Sequence, residues 1–178
     1  VLFIPTAGNK EDYTAYIDEA QQTFKDLGFE IEVLDIASCD RETAQAKIFQ
    51  SKILYISGGN TFYLLQELKK KQLLSLIKEQ IRDGLIYVGE SAGAIITAKD
   101  VDYNKLMDDK TVAKELSDTT GLNEVEFYIL PHYGEEPFTD SSKKTFETYK
   151  NQLDLMRMNN LQAVIVNDKE IKVVSEQD

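Results

Sequence analysis

The sequence predicts an α/β fold in which helices cover both faces of a mostly parallel sheet. Three observations lead to this prediction. Short apolar segments alternate with longer segments whose apolar residues recur at helical spacing. Loops that contain glycine or proline follow several of the apolar segments. Two β-rich segments around Asn167-Asp168 close the chain, which is typical of a C-terminal β-hairpin. Such alternation indicates βαβ units within one sheet.

Composition and spacing locate the individual elements. The predicted strands are VLFIP (1–5), IEVLDI (31–36), ILYIS (53–57), LIYVG (85–89), VEFYIL (125–130), AVIVN (163–167) and IKVV (171–174). The predicted helices are 12–27, a segment from the N-cap Asp40 to Phe49, 61–71, 73–83 and 140–158. The first helix presents the apolar face Tyr13, Tyr16, Ile17, Ala20, Phe24 and Leu27, and the last presents Phe146, Tyr149, Leu153 and Met156. No linker or repeat interrupts the pattern, so residues 1–178 are predicted to form a single domain.

Composition excludes several classes of function. A formal net charge of −11 argues against nucleic acid and anionic membranes as partners, because both require clustered Lys and Arg. No window approaches 18 uninterrupted apolar residues, so no transmembrane helix is predicted. A single cysteine, Cys39, and a single histidine exclude Cys-rich and His-rich metal sites, and neither a metal nor a cofactor is predicted. One cysteine without a signal-peptide pattern predicts a cytoplasmic protein.

GESAG (89–93) fits the pattern G-x-S-x-G at the end of a predicted strand. A strand enters the motif and the helix-compatible AIITA leaves it, which is the setting of a nucleophile elbow. A tight turn shaped by two glycines is the alternative interpretation. If the motif is an elbow, Ser91 is the nucleophile and the Ala92 N–H faces the developing oxyanion.

SGGNT (57–61) follows another predicted strand, and the carboxyl ends of parallel strands share one edge of the sheet. Asn60 or Thr61 can cap the helix that follows. The Gly59 N–H is the predicted second donor of the oxyanion hole. A strand–helix turn is the alternative, and a phosphate loop is disfavoured because the loop lacks a Gly-Lys-Ser/Thr ending.

His132, the only histidine, follows a predicted strand in the sequence PHY. If an imidazole activates Ser91, it must be this one. A carboxylate should orient the ring, and between Ser91 and His132 the chain offers Asp100, Asp102, Asp108, Asp109, Glu115, Asp118, Glu124 and Glu126. Spacing alone does not choose among them.

GGNTFYLL (58–65), GESAGA (89–94) and PHY (131–133) together resemble peptidase family S51, the group of dipeptidase E and cyanophycinase. The resemblance runs from FIPTAG (3–8) to the terminal hairpin. It implies a class I glutamine amidotransferase-like (flavodoxin-like) fold, a Ser91 nucleophile, a His132 base, and Gly59 and Ala92 as oxyanion donors. It also implies a further strand and helix before the FIPTAG segment, which this sequence lacks.

The resemblance further implies a triad acid and a substrate-binding cation. Dipeptidase E carries its acid in a short segment that LMDDK (106–110) matches, which implies Asp108, with Asp109 next to it. Cyanophycinase-like members carry a glutamate after the histidine, where this chain has Gln162. In place of the arginine that binds the substrate aspartate, the matching segment holds Lys143 and Lys144. Asn60, Lys143 and Lys144 are the expected substrate-binding residues.

These observations predict a serine peptidase acting on small peptides, with N-terminal aspartate as one candidate specificity. A hydrolase of esters or β-aspartyl linkages is a second interpretation. A non-catalytic binding protein is a third, and it predicts that no carboxylate lies within hydrogen-bond reach of His132. The sequence makes no prediction of oligomeric state.

Overall fold

A four-stranded parallel sheet forms the centre of the computed structural model, which describes residues 1–175. Its strand order is β2-β1-β3-β4. The strands are β1 (Leu2–Ile4), β2 (Glu32–Val33), β3 (Ile53–Ile56) and β4 (Ile86–Gly89). The central strands β1 and β3 are almost entirely buried, as continuous apolar runs in a parallel sheet require. The predicted α/β fold with a parallel sheet is confirmed.

Within residues 1–175, six α-helices connect and cover the strands. They are α1 (Ala15–Asp26), α2 (Arg41–Gln50), α3 (Thr61–Lys70), α4 (Leu74–Arg82), α5 (Ala92–Ile95) and α6 (Thr139–Tyr149). Asp40 caps α2 by accepting a 2.6 Å hydrogen bond from the Thr43 N–H. The largest apolar cluster joins the central strands to α3 and includes Ile4, Ile56, Phe62 and Leu65. Helix α3 therefore anchors the loop that precedes it to the core.

Two smaller sheets lie after the central sheet in the chain. Strands β5 (Tyr128–Leu130) and β6 (Leu155–Arg157) pair in parallel. Strands β7 (Gln162–Asn167) and β8 (Glu170–Ser175) form the antiparallel C-terminal hairpin that the sequence predicts. The pairing places Asn167 opposite Glu170, so the turn is one residue later than the sequence pattern suggested.

The predicted helix over 140–158 is wrong in its second half. Helix α6 ends at Tyr149, and Leu155–Arg157 forms strand β6. The spacing of Leu153 and Met156 imitates a helical face, but pairing with β5 gives this segment an extended backbone. The face predicted for the first helix is also partly wrong, because Tyr13 lies before α1 and is largely exposed.

Candidate active site

Ser91 lies in a strained turn between β4 and α5. Its backbone has φ +44° and ψ −103°, a conformation that non-glycine residues rarely adopt. A Cβ atom on Gly89 would lie 2.5 Å from the Gly93 carbonyl carbon, and one on Gly93 would lie 2.2 Å from the Ile56 oxygen. Only glycine fits at these two positions, so the elbow is held by backbone packing. The Tyr87 hydroxyl adds a 2.6 Å hydrogen bond to the Gly93 oxygen.

His132 lies in the loop after β5 and meets Ser91. Its Nε2 is 2.9 Å from Ser91 Oγ, which is hydrogen-bond distance. The residue has φ +55°, so His132 as well as Ser91 lies in the left-handed region. Phe138 stacks on the imidazole with ring centroids 4.9 Å apart. The two side chains that the sequence paired are therefore brought together.

Asn160 orients the imidazole from the other side. Asn160 lies in the loop between β6 and β7, and its Oδ1 is 2.7 Å from His132 Nδ1. An amide oxygen beside Nδ1 accepts a hydrogen bond from the Nδ1–H group. The lone pair is then on Nε2, where it faces the Ser91 hydroxyl. This is the tautomer that a general base requires. Asn160 itself is exposed to solvent.

Asp108 does not occupy the position predicted for the triad acid. Its Oδ2 accepts a 2.7 Å hydrogen bond from the Thr61 N–H at the start of α3. Burial raises the pKa of this carboxyl. Its hydrogen bonds with Thr61 and the electrostatic effect of the nearby His132 lower the pKa, but by less. The prediction is corrected for a geometric reason: both ring nitrogens of His132 already have partners, Ser91 and Asn160. Within the described residues Asp108 makes no hydrogen bond to the imidazole.

The neighbouring candidate acid lies apart from the imidazole. The Asp109 side chain accepts hydrogen bonds from the backbone and hydroxyl of Thr111, and the residue is exposed. Among residues 1–175 no carboxylate hydrogen-bonds to His132.

The residues predicted to bind substrate fall in two places. Asn60 caps α3: its Oδ1 accepts a 3.0 Å hydrogen bond from the Tyr63 N–H. Its Nδ2 donates a 3.0 Å hydrogen bond to the main-chain oxygen of Asp109. Both ends of the amide are occupied within the fold, and a contact with substrate stays a prediction. Lys143 and Lys144 are exposed on α6.

The predicted oxyanion donors remain available. Gly58 is buried beside the elbow, and a Cβ atom there would lie 3.3 Å from the Ser91 Cβ. Within residues 1–175 neither the Gly59 N–H nor the Ala92 N–H has a hydrogen-bond partner. The N–H groups on either side of Gly59 are occupied, that of Gly58 by Glu90 and that of Asn60 by the Ala7 oxygen. The role of the Gly59 and Ala92 N–H groups as an oxyanion hole stays a prediction.

Arg157 is a cation beside Tyr133 that sequence reasoning did not assign to the site. The Arg157 guanidinium lies over the rings of Phe146 and Tyr133, 4.7 Å and 5.2 Å from their centroids. Within the described residues no carboxylate lies within ion-pair distance of it. A stacked guanidinium with open edges can bind a carboxylate through two parallel hydrogen bonds. Its position depends on strand β6, which the sequence pattern did not reveal.

Two further findings concern other classes of site. No group of three or more His, Cys, Asp or Glu residues in the described part of the chain is placed to hold a metal ion. Over the same residues, no helix has the length and apolar character needed to cross a membrane.

A serine in a strained turn after a parallel strand, with an imidazole nitrogen on its Oγ, is typical of α/β serine hydrolases. The model of peptidase family S51 matches residues 1–174. The chain belongs to this family, as the sequence motifs indicated, and is a peptidase.

Several relatives support this assignment. An uncharacterized peptidase of Pasteurella multocida is 41% identical over 174 residues, which cover 98% of this chain and 84% of that protein. Peptidase E of Nostoc is 30% identical over 133 residues, which cover 75% of this chain and 52% of the relative. A crystal structure of a candidate peptidase E from Listeria monocytogenes superposes with a TM-score of 0.93 at 35% identity, covering 98% of this chain and 85% of that one.

Proposed function

We propose that this peptidase hydrolyses small peptides by a serine mechanism. The observation that carries the proposal is the 2.9 Å contact between His132 Nε2 and Ser91 Oγ, at a serine held with φ +44°. In the proposed reaction Ser91 Oγ attacks the scissile carbonyl carbon while His132 Nε2 accepts the hydroxyl proton. The imidazolium then donates this proton to the leaving amine, and a water molecule hydrolyses the acyl-enzyme by the same steps.

The backbone supplies the proposed oxyanion hole. The Gly59 and Ala92 N–H groups flank the elbow and have no partner within the described residues. Donors that are already fixed need no reorganisation when negative charge develops on the carbonyl oxygen. Asn160 keeps the imidazole in its productive tautomer through its Oδ1. An amide serves the same purpose in Cys-His-Asn proteases, so a carboxylate is not a chemical requirement.

Labelling with a fluorescent fluorophosphonate tests the nucleophile without a known substrate. We expect covalent labelling of the wild-type protein at Ser91 and none of Ser91→Ala. Circular dichroism and thermal melting of the variant provide the control for folding. Labelling of Ser91→Ala equal to that of the wild type would refute the assignment of the nucleophile.

A preference for an acidic N-terminal residue is the finer proposal. Arg157 adds a stacked guanidinium to the two lysines predicted from the sequence, and it lies against Tyr133, the residue after His132. Hydrolysis of Asp-X peptides is compared with that of matched Asn-X peptides. If Arg157 binds the aspartate, Arg157→Gln abolishes the difference and Lys143→Ala with Lys144→Ala does not. If both variants retain it, another group selects the side chain.

One observation favours a second candidate, a binding protein without catalysis. His132 lacks a carboxylate partner within the described residues, as this interpretation predicted. The same fluorophosphonate experiment separates the two candidates, because a protein without an activated serine is not labelled.

A further inference from the structure

The peptide group that joins Gly58 and Gly59 is held at its oxygen by two hydroxyl groups. Tyr16 Oη donates to the Gly58 oxygen at 3.3 Å, and Ser57 Oγ donates to the same oxygen at 3.1 Å. Ser57 is fully buried at the end of the central strand β3. Tyr16 reaches the peptide from α1 and contacts Gly58 with its ring, 3.5 Å from the position of a Cβ atom there. Two separate elements therefore fix one carbonyl.

This carbonyl matters because of what lies at the other end of the same peptide group. The Gly58 C=O and the Gly59 N–H belong to one plane and point in opposite directions. Fixing the oxygen therefore fixes the direction of the N–H, which has no partner within residues 1–175. Hydrogen bonds to a carbonyl also polarise the peptide and strengthen its N–H as a donor.

Glu90 connects this peptide to the elbow. Its Oε2 accepts a 2.6 Å hydrogen bond from Tyr55 Oη and a 3.2 Å hydrogen bond from the Gly58 N–H. Glu90 directly precedes Ser91 in the chain. The same carboxylate therefore ties the nucleophile's turn to the glycine loop.

We propose that Tyr16, assisted by Ser57, is a positioning residue that holds the Gly58–Gly59 peptide as an oxyanion donor. The inference rests on the proposed serine mechanism and adds a residue that the sequence analysis had placed only on an apolar helix face. Within the described residues Tyr16 makes no hydrogen bond to Ser91 or His132, and it acts through the peptide group.

The surroundings of Tyr16 keep it a donor. Burial, followed by the carboxylates of Glu11, Glu90 and Asp108, raises the pKa of Tyr16 to about 12. The phenol therefore retains its proton through the pH range in which an imidazole base operates.

Tyr16→Phe tests the inference, because it removes the hydroxyl and keeps the ring. The measurement is the rate of fluorophosphonate labelling of Ser91 as a function of probe concentration, which separates the maximal rate from the half-saturating concentration. We expect the maximal rate to fall about 10-fold, less than the roughly 100- to 1,000-fold typical of losing a direct oxyanion donor. The half-saturating concentration stays unchanged, because the ground-state complex does not use the oxyanion donor.

Tyr13→Phe is the matched control. Tyr13 is 68% exposed and its ring lies 6.3 Å from that of Tyr16, so this variant should label at the wild-type rate. Ser57→Ala removes the other hydroxyl and decides the question if Tyr16→Phe does not fold. We expect the double variant to lose more than the product of the two single losses, because either hydroxyl alone still holds the shared oxygen.

The outcomes separate the two proposals. If the wild-type protein is not labelled, the serine mechanism fails and the positioning role fails with it. If the wild-type protein is labelled and the folded Tyr16→Phe and Ser57→Ala variants label within twofold of it, the serine mechanism stands and the inference is overturned. A lower maximal rate for both variants, with melting temperatures close to that of the wild type, supports it.

Discussion

Ser91 and His132, the proposed nucleophile and base, are held in contrasting ways. Ser91 lies in a turn whose two glycines pack directly against backbone atoms, at contacts too short for any Cβ. His132 depends on one hydrogen bond from its Nδ1 to Asn160, on an exposed loop, and on stacking against Phe138. One half of the site is fixed by the main chain and the other by side chains.

This difference separates stability from reactivity. A change in the elbow forces backbone atoms apart, so it should act first on folding. A change at Asn160 leaves the core untouched, so it should act on the rate of reaction alone. The following predictions test this division, from the largest expected effect to the smallest.

Gly93→Ala should lower stability most. The new Cβ would lie 2.2 Å from the Ile56 oxygen, at the carboxyl end of the central strand β3. We expect a loss of about 3 kcal/mol or more in the free energy of unfolding, at the upper end of overpacking in a core. Urea denaturation measures it.

Gly28→Ala is the control for this variant. Gly28 has a positive φ, +83°, which Gly93 does not, and a Cβ atom at Gly28 would meet nothing within 4 Å. The left-handed backbone alone should cost about 1 kcal/mol. Equal losses for the two variants would show that crowding does not hold the elbow.

Asn160→Ala should slow the reaction without unfolding the protein. The imidazole loses the hydrogen bond at its Nδ1, and we expect kcat, or the maximal labelling rate, to fall about 10- to 100-fold. Asn151→Ala removes an exposed asparagine elsewhere and serves as the control. An unchanged rate in Asn160→Ala would mean that the Nδ1 bond has no part in catalysis.

Asn160→Asp sharpens the same comparison. A carboxylate at this position still accepts a hydrogen bond from the Nδ1–H group, and it also stabilises the protonated imidazole. The variant should therefore retain most of the activity lost in Asn160→Ala, while the acidic limb of its pH–rate profile moves to higher pH. A profile identical to that of the wild type would contradict the hydrogen bond described here.

Tyr87→Phe should cost about 1 kcal/mol, because it leaves the buried Gly93 oxygen without its side-chain donor. The reaction rate of the folded protein should change little. Thermal melting beside Tyr13→Phe, which removes an exposed hydroxyl, provides the comparison. A large loss of rate with unchanged stability would place Tyr87 among the reactive groups instead.

Asp108→Asn should have the smallest effect on the rate, within about threefold, since the amide can still accept from the Thr61 N–H. Its effect is expected in the pH dependence of stability. Because burial raises the pKa of Asp108, the folded protein holds this proton more tightly than the unfolded chain. Stability therefore falls as pH rises from the unfolded pKa through the raised folded pKa, and the variant should lack this slope. A rate loss as large as that of Asn160→Ala would restore Asp108 as the orienting acid.

The tight turn at Ser91 could be predicted from sequence because its determinants are local. Two glycines, a serine and the end of an apolar strand occupy adjacent positions, and each is required by a steric or catalytic constraint. The single histidine left one choice of base. The parallel sheet followed from alternating segments for the same reason, since each segment carries its own periodicity.

Asn160 could not be predicted because nothing local distinguishes it. It lies 28 residues after His132 and approaches the ring only because β6 pairs with β5, and β6 had been read as helix. Asp108 was a better match to the expected chemistry, but its carboxylate accepts a hydrogen bond from the Thr61 N–H at the start of α3. A carboxylate suits the N-terminus of a helix as well as the position behind an imidazole, so residue type does not separate the two roles.

The exposed position of Asn160 also affects how this family can diverge. Its codon is one nucleotide away from an aspartate codon, and the side chain has no role in the core. Genetic drift can therefore exchange an amide for a carboxylate behind the imidazole in a single step, with the folded scaffold unchanged. Any substitution of Gly89 or Gly93 brings a Cβ atom into contact with backbone atoms. Lineages should therefore differ in the residue behind the imidazole while they share the glycine turn that presents the serine.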